Sequence, residues 1–158
     1  MKHKKIKIID FYSTKNFHEI ITFCIVEMFC NICEEVEIIL GQSACRNLKK
    51  MFQNDKKKDN LLFKPKYVVE IETSFGAFLR MFFGFFFVLY EYLTTSKSTI
   101  LYYNYSNPLA LPFILILNRI LNKKVIIIFH GELELLIRKV AIYKVSNVYK
   151  FFNKYSYK

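Results

Sequence analysis

Apolar residues along this chain fall into two alternating kinds of run. Short runs rich in isoleucine, valine and leucine occur at 6–12, where Lys7 and Asp10 break the run, and at 36–40, 67–71, 99–105 and 125–129. Between them lie longer stretches whose apolar residues recur every three or four positions, as Phe17, Ile21, Cys24, Met28 and Ile32 do in 16–34. The short runs predict strands and the periodic stretches predict helices, at 16–34, 43–52, 75–93 and from Asn107-Pro108 to about 122. Pro108 suits a first helical turn, and Pro112 is close enough to move that start. Strand–helix alternation through five strands predicts an α/β fold: a doubly wound, Rossmann-like parallel sheet of about five strands in a single domain spanning 1–158. The expected strand order is 3-2-1-4-5. The switch point then lies between the first and fourth strands, and a crevice opens at the carboxyl ends of the first, fourth and fifth.

Two segments stand out from this alternation. Residues 53–66, with Asp55-Lys56-Lys57-Lys58-Asp59-Asn60 and Pro65, read as a polar loop. Residues 75–93 are dominated by phenylalanine and are nearly long enough to span a bilayer. Arg80 and Glu91 interrupt that stretch, and strands flank it on both sides, so a crossover helix is the expected reading. A helix lying on a membrane surface and a true span are the alternatives.

With 158 residues and 53% apolar content the chain can bury the core of one domain. Its formal charge of +11 favours anionic partners. The joint abundance of Lys, Asn, Ile, Phe and Tyr is also what AT-rich codons produce, which lowers the weight of that charge. The start, Met1-Lys2-His3-Lys4-Lys5, resembles that of a signal peptide, but Lys7 and Asp10 break the apolar run and no small-residue cleavage site comes after it. A cytoplasmic start leading straight into the first strand is expected. Residues 138–158 form a basic, aromatic tail with six Lys or Arg and no acid, and a further short strand is expected at 145–148. Cys24, Cys30, Cys33 and Cys45 fit neither a disulfide framework nor a common zinc spacing. The Cys30-x-x-Cys33 pair falls at the end of a helical pattern, whereas a helix start is where the dipole would activate a thiol. All four are expected to be small apolar or incidental positions.

The chemistry narrows by what is missing. The turn after the first strand, Tyr12-Ser13-Thr14-Lys15-Asn16, lacks the glycines of a dinucleotide-binding loop. No G-x-x-x-x-G-K-[ST] or G-x-S-x-G occurs, and Asp10 is alone where a receiver domain needs clustered acids. The fifth strand, by contrast, runs from Lys123-Lys124 through 125–129 into His130-Gly131-Glu132-Leu133-Glu134. A histidine at the carboxyl end of a sheet can donate, accept or carry charge near neutral pH. Gly131 permits a tight exit or the close approach of a ligand. Glu132 and Glu134 share one side if the strand continues and diverge if a helix starts. Asn104 and Ser106 end the fourth strand beside the same crevice, where they can contact a ligand or cap the next helix.

Residues 99–134 resemble the N-terminal domain of GT-B glycosyltransferases, in particular the family-4 sugar transferases. The resemblance is carried by Ile100-Leu101-Tyr102-Tyr103-Asn104-Tyr105, the helix from Pro108 to Asn122, and the strand from Lys124 to Gly131, in that order. It implies transfer of a sugar from a nucleotide-sugar donor to a cell-surface glycan or lipid-linked acceptor. His130 then stands near the transferred sugar as the catalytic candidate, with Ser13, Asn104, Ser106, Gly131, Glu132 and Glu134 as substrate contacts. No metal and no cofactor beyond the nucleotide-sugar substrate is implied. Two departures accompany the likeness. Ser13-Thr14-Lys15 replaces the usual glycine-rich loop, and the second Rossmann half, which supplies most donor contacts, is not among these residues. The expectation is an acceptor-side domain that is inactive alone and works with a separate C-terminal half, at the cytoplasmic side and peripherally at the inner face of the cell membrane. The competing reading is a non-catalytic peripheral membrane or partner-binding module using 75–93 and the basic tail at an anionic membrane surface. Nucleic-acid binding by that tail ranks last, because no recognised motif frames it.

Overall fold

The structure, a computed structural model, describes residues 3–11, 19–53, 59–69, 73–104, 107 and 109–128. Five strands and four helices alternate: β1 (His3–Asp10), α1 (Glu19–Ile32), β2 (Cys33–Gly41), α2 (Gln42–Gln53), β3 (Leu61–Lys66), α3 (Ser74–Thr94), β4 (Ile100–Tyr103), α4 (Leu111–Leu121) and β5 (Val125–Ile127). All strand pairs are parallel. The order is β3-β2-β1-β4-β5, the doubly wound arrangement expected from the alternation.

Side chains alternate across the strands and divide the core in two. Ile6, Ile8, Val36 and Ile38 meet Val26 and Phe29 of α1 and Ala44 and Leu48 of α2. On the other side Ile9, Ile39, Leu101 and Tyr103 meet Val88 and Tyr92 of α3, Ile114 of α4 and Ala110 just ahead of it. Strands buried on both faces read as continuous apolar runs, which is why the central ones were legible.

Several boundaries differ from the sequence reading for identifiable reasons. β3 occupies 61–66, inside the segment read as a polar loop, and 67–69 are irregular. As an edge strand it accommodates Pro65 and two lysines that a central strand would reject. β2 begins at Cys33, directly after α1, and Asn60 Nδ2 ties that junction by donating to the carbonyls of Cys30 and Cys33. α4 starts at Leu111, so Pro112 and not Pro108 lies in its first turn. β5 forms the opposite edge, and its Ile126 is exposed. Residues 54–58 of the polar loop and the whole of 138–158, with the strand expected at 145–148, lie outside the described residues.

One face of the sheet is ionic at its amino end. Register sets Lys5 beside Glu35 and Lys7 beside Glu37. The Glu37 carboxylate, almost wholly buried, pairs with Lys5 at 3.2 Å, Lys64 of β3 at 3.1 Å and Lys7 at 3.6 Å. Lys7 in turn donates to Glu91 of α3 at 2.8 Å. Burial alone would raise the Glu37 carboxyl, but hydrogen bonds from Lys64 and Lys5 and the charge of Lys7 outweigh it and hold the group below the usual carboxylate range. Hydrogen bonding to Glu35 is the main reason the Lys5 amine rises above its ordinary value.

The far end of α3 is closed by Lys123. Its ammonium donates to the carbonyls of Tyr92, Leu93 and Thr95, which the helix itself leaves without partners. Asn118 Oδ1 holds the clamp in place, accepting from Tyr92 Oη and from the Lys123 backbone N–H, both at 2.9 Å. Asn122 takes the left-handed conformation that ends α4 and turns the chain toward Lys123.

Both polar clusters can be checked by unfolding measurements. Glu37 has a folded-state pKa below its ordinary value of 4.5, so its stabilising contribution is complete above that pH and disappears as acid titrates the folded form. Urea unfolding across pH 3–7 should therefore show stability falling on acidification, with a shallower slope in Glu37→Gln. At pH 7 that variant should be less stable by about 2 kcal/mol, below the range for a fully buried pair because Lys5 and Lys64 keep contact with water. Lys123→Met should cost about 2 kcal/mol by the same measurement, because it strands the last carbonyls of α3.

Candidate functional site

The carboxyl ends of β1, β4 and β5 lie side by side. The Asn104 backbone N–H donates to the Ile9 carbonyl at 3.1 Å, and that of Ile128 donates to the Tyr103 carbonyl at 3.0 Å. This edge contains the switch point, since the chain leaves β1 toward β2 on one side and arrives at β4 on the other.

A buried polar group fills the junction. Asp10 continues the Ile6–Ile8 side of β1 and so turns toward α1, where Thr22 sits. Asn104, one residue past β4, donates its amide to Asp10 Oδ2 at 2.8 Å and to Thr22 Oγ1 at 3.2 Å. All three side chains are buried, Asn104 to 1% exposure. A polar group this deep is tolerated only when it is hydrogen-bonded. The trio thus joins β1, β4 and α1 and makes a buried polar floor at the carboxyl ends of the strands.

Asn107 does the corresponding work on the other side of the sheet. Its Oδ1 accepts from the backbone N–H groups of Leu109 and Ala110, and its Nδ2 donates to the Met81 carbonyl of α3. This side-chain turn takes up the N–H groups ahead of α4 and explains the late helix start. The contact needs close approach. A Cβ on Gly84 would lie 3.1 Å from Asn107 Nδ2.

Of the residues singled out in the sequence, Asn104 is the one described. It lies at the crevice edge with its amide committed to Asp10 and Thr22. Ser13, Ser106, His130, Gly131, Glu132 and Glu134 lie outside the described residues. The sequence reading passed over Asp10 and Thr22. The available signal was an acid closing an otherwise apolar strand, Ile8-Ile9-Asp10-Phe11. Among the described residues, no group of three or more His, Cys, Asp or Glu side chains could hold a metal ion. Cys30 and Cys33 are buried, and burial raises the Cys33 thiol, which disfavours a reactive thiolate at that pair.

The floor makes a prediction of its own. Asp10→Ala should lower unfolding stability by about 2 kcal/mol, because it leaves the Asn104 amide short of an acceptor in a buried place. Asn104→Asp should cost more than Asp10→Ala in the same measurement, because it sets two carboxyl groups against each other in a buried place.

The geometry of this site stands without a precedent to lean on: no family model, no curated protein and no solved structure matches the chain.

Proposed function

We propose that this chain is the acceptor-side domain of a GT-B glycosyltransferase, acting with a second Rossmann-like half on a nucleotide-sugar donor. The observation that carries the reading is the strand order β3-β2-β1-β4-β5 combined with the residues that come directly after β5. Ile128 still pairs with β4, and His130-Gly131 come two residues later in the sequence, after the carboxyl end of a strand, the end at which open α/β sheets take ligands.

On this reading the chemistry is electrostatic and positional. Departure of a nucleoside diphosphate leaves positive character on the anomeric carbon, and the attacking hydroxyl must be held in line. The His130 imidazole orients that hydroxyl or binds the sugar, Gly131 gives the substrate room, and Ser13, Ser106, Glu132 and Glu134 supply hydrogen-bonding groups around it. The Asp10–Asn104–Thr22 floor keeps the strand ends from shifting. Contacts to the donor diphosphate come from the second half. The acceptor is a cell-surface glycan or a lipid-linked sugar, met at the cytoplasmic face of a membrane.

A second reading, a peripheral membrane module without transfer chemistry, is favoured by one observation: the outward face of α3 is aromatic and uncharged.

The test combines the 158-residue chain with a co-expressed second half and a panel of labelled UDP- and GDP-sugars, using membrane lipid extract as acceptor. The chain alone should give no transfer, and the pair should give transfer that His130→Ala lowers at least about 100-fold. Robust transfer by the chain alone, or indifference to His130→Ala, would defeat the proposal.

A further inference from the structure

α3 is two-sided in an unusual way. Its inner pole carries Gly84, Val88, Glu91 and Tyr92, all buried. Its outer pole carries Phe75, Phe78, Phe82, Phe86, Tyr90 and Leu93, each between 43% and 66% exposed. At 100° per residue, positions 75, 82, 86 and 93 fall on nearly one line, which at 1.5 Å per residue is about 27 Å long. Phe82 stacks or edges against Phe78 and Phe86, so the rings form a continuous surface. No charged side chain interrupts it. Arg80 lies at the side, donating to the Val69 carbonyl, and Glu91 is turned inward onto Lys7.

A soluble helix normally covers its outer face with charge, and a bare apolar face of this length marks a contact. The charges of the segment from α3 to β5 point to the kind of partner. Residues 73–128 contain one acid, Glu91, and it is buried and paired. The exposed charges of that same stretch are Lys97, Arg119 and Lys124, all basic. α4 adds exposed Ile116 and Ile120 to the layer. No helix among the described residues is long and apolar enough to cross a membrane, and the Lys7–Glu91 pair ties α3 flat against the sheet.

We propose that the outer face of α3 is a docking surface for an anionic lipid bilayer. The phenyl rings enter the boundary between headgroups and acyl chains, and Lys97, Arg119 and Lys124 meet the lipid phosphates. The inference does not depend on sugar transfer, since the surface stands on α3 and α4 whatever the crevice does. It also predicts salt dependence, because exposed charges are screened over about 10 Å at 0.1 M.

The chain contains no tryptophan, so Phe86→Trp introduces a single reporter. With vesicles of phosphatidylcholine and phosphatidylglycerol, its emission should shift to the blue and be quenched by brominated acyl chains. Co-sedimentation with those vesicles should exceed that with pure phosphatidylcholine and weaken as salt rises. Phe82→Ser/Phe86→Ser should lower binding at least tenfold while keeping the folded far-UV spectrum, since both rings are exposed. Each of Lys97→Gln, Arg119→Gln and Lys124→Gln should weaken binding about fivefold. Equal binding to neutral vesicles, no binding to either, or binding that ignores the phenylalanine changes and so rests on the basic 138–158 segment would overturn the proposal. So would a stable dimer that the same phenylalanine changes dissociate, because the face would then be occupied by a second copy.

Discussion

Everything on the α3 side of this sheet is arranged around one buried carboxylate. Glu37 sits in a central strand with almost no exposure, and its charge is met by lysines from β1 and β3. Lys7 extends the network to Glu91 and so fixes the rotation of α3 about its own axis. Turning the helix by half a turn would strand Glu91 in water and leave Lys7 with less compensation in a largely buried place. A buried ion pair adds modest net stability compared with apolar packing, but breaking one partner is costly. The network therefore acts mainly as an orientation device, holding Glu91 inward on Lys7 and the aromatic pole of α3 outward.

The same rotation reaches the other end of the helix and the next element. With α3 set, Tyr92 points under α4 to Asn118, and the carbonyls at its end are presented to Lys123. At the opposite end of the layer, Gly84 lets Asn107 reach the Met81 carbonyl, which positions the start of α4. α4 then delivers the chain through Asn122 into β5 at the register that pairs Val125 with Leu101. The crevice edge formed by β1, β4 and β5 thus inherits its geometry from contacts made well away from it.

The candidate site was legible in part. Its place came from strand order, and strand order came from hydrophobic period and the handedness of parallel connections, both of which act locally along the chain. The role of Asn104 was not legible, because its partners Asp10 and Thr22 are 94 and 82 residues distant in sequence. An asparagine at a strand end looks the same in sequence whether it faces a ligand or a buried aspartate. The third strand was expected at 67–71 and lies at 61–66 for a related reason. Lys64 and Lys66 make it resemble a loop, and only the neighbouring chain shows that one lysine neutralises Glu37 while the other lies over the Phe87 ring.

By itself, then, the sequence determined the class of fold: that strands and helices alternate, that the strands run parallel, and in what order they sit. Burying alternating apolar runs within one short chain leaves few other solutions. It also determined that residues 75–93 are too apolar for an ordinary surface helix. Only the tertiary structure decided which pole of that helix is hidden, which edge strand carries the lysines, and which polar residues are spent inside the fold. Those choices rest on pairings such as Lys7 with Glu91, 84 residues apart, whose energy appears only when packing brings the charges together out of water.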